Sequence, residues 1–265
     1  MSNPPIPNFQ LFKQALSPVW LPYIYTDKID DINGDNVTKI LYMSTKYQIK
    51  QLTSVCEKYL NEAVDIDNVC TILTQARFFQ LTPLIDKCMS LIEKEASQVI
   101  QTEDFLAVPK DTLAAILHSD NLCVKEVCLF KAVTSWSRNA CFTRGIEETQ
   151  TNKREMLGEC LFSLRIPVMD VQDFRTVVVE EEILTEQEEL QLFRYVTGNR
   201  QKSSDTVTNI AGFSTKTRRP TFVIFDLGII NNRRRSDFEL TFYQESRWER
   251  ISVYSETEMV VTRMQ

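Results

Sequence analysis

The residues with the greatest capacity for nucleophilic or metal-binding chemistry are seven cysteines and one histidine, His118. Most of the cysteines lie among apolar residues at helical spacing: Cys56, Cys70, Cys88, Cys128 and Cys160. A free cysteine in such a pattern behaves as a small core residue. Cys123 and Cys128 are close in sequence, but one histidine cannot complete the usual zinc-ligand spacings. We therefore predict reduced cysteines with a packing role and no metal site.

His118 is also the only histidine base that a serine- or cysteine-type catalytic site could use. It lies in Leu117-His118-Ser119-Asp120, at a predicted helix end, where the helix dipole favours a cation. Helix capping is therefore its predicted role. The sequence has no G-x-S-x-G, Walker or G-x-G-x-x-G motif to present a nucleophile or cradle a phosphate. No enzyme and no cofactor are predicted, which leaves an interaction protein.

The charge balance and hydropathy of the chain bear on nucleic-acid and membrane partners. The net charge is −6 and the acidic excess lies before residue 199, which argues against phosphate binding. The basic cluster Arg233-Arg234-Arg235 follows two asparagines and is typical of an exposed turn. No apolar run reaches the roughly 20 residues of a membrane span, and Met1 to Ile6 do not resemble a secretory signal. We expect a cytoplasmic chain with no nucleic-acid or membrane partner.

The elements that position these residues are helices before residue 199 and strands after it. Apolar residues three or four positions apart predict helix faces: Val37, Ile40, Leu41 and Ser44, then Leu52, Cys56 and Leu60, and later Val127, Phe130, Val133 and Trp136. Pro83 suits a first helical turn, and Thr185 with Glu188 forms a capping box. These signals predict a stack of helix pairs joined by short loops.

The pattern changes after residue 198. Residues 199–219 are polar and aperiodic, which predicts a linker. Apolar runs of β type follow it at Phe222–Phe225, Phe238–Phe242, Ile251–Tyr254 and Met259–Val261. The predicted fold class is mainly α, a helical body followed by a small antiparallel β segment.

Four stretches of the sequence resemble the BTB–BACK adaptor family, in particular its branch with a C-terminal PHR β-sandwich. Tyr23–Ile29 looks like a late segment of a BTB domain, and residues 36–60 look like its last two helices. Glu126–Trp136 resembles the signature helix of a BACK domain, and Arg154–Met169 resembles the BACK segment that ends in R-[FI]-P-x-[ML]. The ordered set covers roughly residues 20–198.

The resemblance implies a BTB domain that is truncated at its N-terminus, because residues 1–19 show no matching strands. Its symmetric homodimer surface then has no counterpart in the chain. The implied domains are the C-terminal helical part of a BTB domain (1–64), a BACK domain (65–198), a linker (199–219) and a partial or divergent β module (220–265). Residues 220–265 lack the tryptophan- and glycine-rich composition of a PHR domain.

The family implies a non-enzymatic substrate adaptor of cullin-RING ubiquitin ligases of the third cullin type. Its partners would be the cullin scaffold and an unknown protein substrate. The resemblance places cullin contacts just after the BTB domain, at the matching positions Thr74, Arg77, Phe78, Phe79, Leu81 and Thr82. Core packing is the competing interpretation of these residues, and an exposed phenylalanine rimmed by Arg77 and Gln80 would favour contact.

Two other functions remain open at this point. A degenerate or regulatory BTB–BACK paralogue would act as a protein-interaction scaffold without recruiting the ligase, and would expose apolar surface where the BTB core is absent. A helical scaffold unrelated to ubiquitin would present a concave binding surface, as solenoid proteins do. An enzyme would instead show a pocket with converging titratable groups.

Overall fold

The computed structural model of the chain describes residues 32–198 and 209–218, and the backbone of strands at 226–228, 238–244, 247–254 and 258–263. The resemblance at Tyr23–Ile29, the strand predicted at Phe222–Phe225 and the basic cluster Arg233–Arg235 therefore lie outside the described residues. The chain divides into two compact units, Met1–Cys88 and Met89–Gln265. Each unit is built from short helices around its own buried side chains.

Unit 1 contains two helical hairpins. The first is made of α1 (Val37–Lys46) and α2 (Lys50–Ala63), and the second of α3 (Val69–Phe78) and α4, which runs from Thr82 to Lys94 across the boundary between the units. The buried faces of α1 and α2 are those that the spacing predicts: Val37, Ile40, Leu41 and Ser44 on α1, and Leu52, Cys56 and Leu60 on α2. The prediction of these two helices is confirmed.

The second hairpin repeats the first at a spacing of 32 residues. Counted from the residue before each hairpin, seven positions carry the same residue in both: Asn36/Asn68, Val37/Val69, Ile40/Ile72, Leu41/Leu73, Gln48/Gln80, Leu52/Leu84 and Cys56/Cys88. The apolar members of these pairs are all buried. The asparagines also act alike, because the Oδ1 atoms of Asn36 and Asn68 each accept the backbone N–H three residues earlier, at 2.9 and 2.8 Å. The two hairpins therefore share one pattern of buried residues and N-terminal asparagine contacts.

Unit 2 holds the remaining helices of the described chain. They are α5 (Ala96–Val99), α6 (Glu103–Ala107), α7 (Lys110–His118), α8 (Glu126–Thr143), α9 (Gln150–Leu157), α10 (Val171–Asp173) and α11 (Glu186–Thr197). Two 3-10 helices lie between α9 and α10, at Gly158–Ser163 and Ile166–Val168, and a π-helical turn, Phe174–Val178, continues α10. No helix of the described residues is long and apolar enough to cross a membrane.

Helix α8 lies at the centre of unit 2. Of the predicted face, Phe130, Val133 and Trp136 are buried and Val127 is half-buried. The indole N–H of Trp136 donates to the carbonyl oxygen of Val108 at 2.8 Å. The capping box at the start of α11 is confirmed, with the Thr185 hydroxyl accepting the Glu188 N–H and the Glu188 carboxylate accepting the Thr185 N–H.

The strands are antiparallel. A short hairpin pairs β1 (Asn209–Ile210) with β2 (Phe213–Ser214), and a four-stranded sheet has the order β3 (Asp226–Gly228), β4 (Phe238–Gln244), β5 (Arg247–Tyr254) and β6 (Glu258–Arg263). The last three strands contain the predicted apolar runs, in a register that aligns Leu240, Ile251 and Val261. The mainly α class with a small antiparallel β segment is confirmed.

Candidate partner-binding site at the α3–α4 turn

The six predicted contact residues lie at the end of α3 and the start of α4. Helix α3 ends at Phe78 because Gln80 adopts the left-handed backbone conformation, with φ 57°. The Leu81 N–H then donates to the Ala76 carbonyl at 2.9 Å, and the Gln80 N–H donates to the Arg77 carbonyl at 3.3 Å. This is the Schellman closure of a helix, in which the residue after the left-handed position packs back on the last turn.

Phe78 and Phe79 form the apolar part of the turn. Phe78 is 54% exposed, and Phe79 is half-buried against it, with ring centroids 4.9 Å apart and an interplanar angle of 88°. The edge-to-face contact stabilises the packing of the exposed ring on its neighbour. Aromatic side chains are among the residues that carry most of the energy of protein–protein contacts.

The other predicted residues divide between surface and core. Thr82 is exposed, Arg77 and Thr74 are half-buried, and Leu81 is buried at 8% exposure. The Thr74 hydroxyl donates to the carbonyl oxygen of Cys70 within the same helix, at 2.8 Å. The turn therefore brings the phenylalanines, Arg77 and Thr82 towards the surface, while Leu81 anchors the turn in the core.

Two further residues lie close to these six in the sequence. Pro83 is exposed at the start of α4. The side-chain oxygen of Gln75 is buried and has no hydrogen-bond partner among the described residues. Gln75 lies four positions before Phe79, so both are on one face of α3. The sequence signalled Pro83 as a helix start, but an unsatisfied amide oxygen could be found only from coordinates.

The charge of this surface is simple. Arg77 is the only ionisable residue between Thr71 and Ile85. Aromatic rings, uncharged polar groups and a single guanidinium suit a partner that offers an apolar side chain and a carboxylate. Apolar contact with one directional ion pair is binding chemistry, not bond-making chemistry.

The residues with catalytic potential, His118 and the cysteines, are not among the six predicted contact residues. His118 ends α7, and its Nδ1 donates to the carbonyl oxygen of Ala114 in its own helix, at 2.7 Å. Burial raises the pKa of the Cys56 thiol to about 12 and that of Cys88 to about 11, where the neighbouring Lys87 charge opposes the burial effect. The prediction for Cys128 was wrong: it is exposed, because it faces away from the buried side of α8.

An open cavity of about 410 Å³ lies beside α9 in unit 2. Arg154, Glu155 and Glu159 are its ionisable lining residues. The Arg154 guanidinium donates to the Glu188 carboxylate and to the Ile183 carbonyl. Among the described residues, the two lining glutamates form no ion pair with Arg154. The lining contains no histidine or cysteine, so the cavity offers neither a cysteine nucleophile nor a histidine base.

Two family models match the chain. A BACK model (BTB And C-terminal Kelch) matches residues 69–179, and a BTB/POZ domain model matches residues 20–64. The α3–α4 turn therefore lies in the first helix pair of the BACK match. Both matches end before residue 180, so the likeness of residues 220–265 to a PHR domain stays a prediction.

Curated relatives agree with these models. The chain is 31% identical over 187 residues to human BTB/POZ domain-containing protein 6, and this match covers 71% of this chain and 35% of the human protein. It is 32% identical over 179 residues to the Xenopus tropicalis protein of the same name, and 30% identical over 181 residues to mouse BTB/POZ domain-containing protein 3; each match covers 68% of this chain and 34% of the relative. The chain thus spans about a third of the length of the relatives it matches.

Proposed function

Because this chain belongs to the BTB–BACK family of protein-interaction adaptors, we propose that it is a non-enzymatic substrate adaptor for a cullin-RING ubiquitin ligase of the third cullin type. BTB domains mediate protein–protein interaction, and proteins with BTB and BACK domains are typically adaptors that catalyse no reaction. The adaptor would hold a target protein near the ligase and raise its local concentration there.

The exposed Phe78 ring is the observation that carries this proposal. It lies at the position where the resemblance to the family predicts cullin contact, and it is 54% exposed. In the proposed complex, Phe78, Phe79 and Thr82 contact the cullin and Arg77 pairs with a carboxylate of it. Thr74 and Leu81 complete the predicted set: Thr74 donates to a carbonyl within α3, and Leu81 anchors the turn in the core.

The target protein would bind outside this turn. We propose that residues 220–265, a partial or divergent β module, take part in holding it, since in the family the C-terminal domain binds the substrate. Its edge strands β3 and β6 each pair with one neighbour in the four-stranded sheet. The identity of the target would follow from capture experiments with the full chain.

We place this activity in the cytoplasm. All seven cysteines are free thiols, and six of them are buried. Structural thiols of this kind persist in a reducing compartment, whereas an oxidising one favours disulfides. Fractionation of cells that express the tagged chain would test the assignment, and accumulation in the secretory pathway would contradict it.

The test of the cullin contact is calorimetry of the full chain with the N-terminal helical part of a third-type cullin. We expect a Kd below about 10 μM, roughly −7 kcal/mol. Phe78→Ala should weaken binding at least about tenfold, since truncation of a central aromatic contact costs about 1.5–2 kcal/mol or more. Phe142→Ala is the matched control, because Phe142 is 84% exposed in unit 2 and should leave the Kd unchanged.

Light scattering and circular dichroism of the same samples show whether each variant is folded and monomeric. Absence of binding by a folded wild-type chain would overturn the cullin contact and favour the paralogue that acts as a scaffold without the ligase. Equal weakening by Phe78→Ala and Phe142→Ala would overturn the assignment of the contact to the α3–α4 turn.

A further inference from the structure

The segment 209–218 follows α11 in the chain and packs on the helical part of unit 2. Its two strands are joined by Ala211 and Gly212, which have φ 52° and 91°. Phe213 is fully buried, and its ring centroid lies 5.2 Å from that of Phe162 in the first 3-10 helix. A Cβ atom at Gly212 would lie 2.8 Å from Cδ1 of Phe162, so the backbone itself is pressed against that ring.

Arg218 ends this segment and is inserted among the helices of unit 2. Its side chain is 4% exposed. Its Nε donates to the Glu126 carboxylate at 2.5 Å, and its Nη1 donates to the carbonyl oxygen of Leu117 at 2.9 Å and also to that of Ser119. The Nη2 donates to the Ser163 carbonyl at 3.3 Å. The guanidinium therefore joins α8, the end of α7 and the first 3-10 helix.

The site around Arg218 is balanced in charge and polarity. Leu117 and Ser119 lie at the C-terminus of α7, where unpaired carbonyls and the helix dipole attract a cation. Arg165 lies beside it and pairs with Asp120, donates its backbone N–H to Glu126 at 3.2 Å, and donates from its side chain to the Lys216 carbonyl at 3.4 Å. Two guanidinium groups thus face two carboxylates, and a buried ion pair is stable only with such partners.

We propose that residues 209–218 are a clasp, a segment whose Arg218 binds a carbonyl-and-carboxylate site on the helices of unit 2. Arg218 is a positioning residue: it fixes the position of the chain at the point where residues 219–265 begin. The polar composition of residues 199–219 predicts a linker, but part of that range is anchored by Phe213 and Arg218. This consequence rests on the proposed function: if residues 220–265 hold a target, a fixed starting point for these residues limits the volume that the target can search.

The clasp is tested by hydrogen–deuterium exchange on the full chain with Arg218→Gln. We expect the amides of residues 209–218 to exchange at least about tenfold faster, because loss of the guanidinium removes four anchoring bonds. Lys216→Gln is the matched control, since the Lys216 side chain is exposed and the hydrogen bond of this residue to Arg165 comes from its backbone carbonyl. Exchange of Arg218→Gln within twofold of wild type would overturn the proposal.

A second variant guards against misfolding of Arg218→Gln. Gly212→Ala leaves the ion pairs intact but forces a methyl group against Phe162, and it should raise exchange in residues 209–218 while the helices α1 and α2 stay unchanged. No increase in this variant would contradict docking of the segment. Cullin binding by Arg218→Gln should remain at the wild-type level, so a failure of the clasp and a failure of the cullin contact give different results.

Discussion

Both side-chain oxygens of Glu188 accept hydrogen bonds from the guanidinium of Arg154, at 2.7 and 2.9 Å. This bidentate pair joins α9 to the first turn of α11, where Glu188 also closes the capping box with Thr185. The Arg154 guanidinium donates in addition to the carbonyl oxygen of Ile183, which is buried. One carboxylate therefore fixes both the start of a helix and its contact with the rest of unit 2.

Glu188→Gln should lower the free energy of unfolding by about 1–2 kcal/mol at pH 7, because it removes a bidentate charged contact at a partly buried site. Burial acts to raise the pKa of Glu188, but the hydrogen bonds from Arg154 and Thr185 outweigh it and hold the pKa below its ordinary value. The charged contact therefore contributes fully above the unfolded pKa and is lost as the pH falls through the folded pKa. The difference between the two proteins should shrink on acidification.

Urea unfolding at a series of pH values measures this difference. Glu186→Gln is the control, because Glu186 is an exposed acidic residue in the same first turn. A difference between wild type and Glu188→Gln that stays constant from pH 7 to well below 4.5 would show that the charge of Glu188 does not matter.

Cys128 should react first with a maleimide or with iodoacetamide under native conditions. It is exposed, whereas the other six cysteines are buried, and burial raises the pKa values of Cys56, Cys88 and Cys160. Alkylation needs an accessible thiolate, so one fast site and six slow sites are expected by mass spectrometry. Loss of the fast site in Cys128→Ser is the control, and early labelling of Cys56 or Cys88 would contradict the burial of the hairpins.

Gln80→Gly should raise the free energy of unfolding by about 0.5 kcal/mol, and Gln48→Gly should do the same. Both glutamines hold the left-handed backbone conformation, with φ 57° and 56°, which glycine adopts without steric cost. Gln191→Gly is the control: Gln191 is exposed inside α11, where glycine costs about 1 kcal/mol. Chemical denaturation decides the signs, and destabilisation by Gln80→Gly would show that its side chain stabilises the turn.

The helical body could be predicted because its signals are local. The spacing of Phe130, Val133 and Trp136 fixes a buried face, and Thr185 with Glu188 fixes a helix start. Each signal lies within a few residues, so no knowledge of the tertiary fold is needed. The predicted burial of Cys128 was wrong because residues that are adjacent in sequence do not lie on the same helix face.

The clasp and the exposed ring could not be predicted because they depend on distant or directional partners. Arg218 is buried only because Glu126, ninety-two positions earlier, receives it. At the α3–α4 turn, the sequence offers two adjacent phenylalanines, and adjacency alone does not say which one faces outwards. The left-handed conformation of Gln80 ends α3 there and leaves Phe78 at the surface.

The 32-residue spacing of the two hairpins also bears on how the length of this region can change. A single residue inserted or deleted inside α2 or α4 rotates every later side chain of that helix by about 100° around its axis, since an α-helix has 3.6 residues per turn, and so takes part of the buried row that contains Leu52 or Leu84 out of the core. Gain or loss of a whole hairpin of 32 residues keeps the asparagine, the left-handed glutamine and the buried cysteine of each remaining hairpin at equivalent positions. Length variation among homologous chains is therefore expected in steps of one hairpin or in the loops that join them.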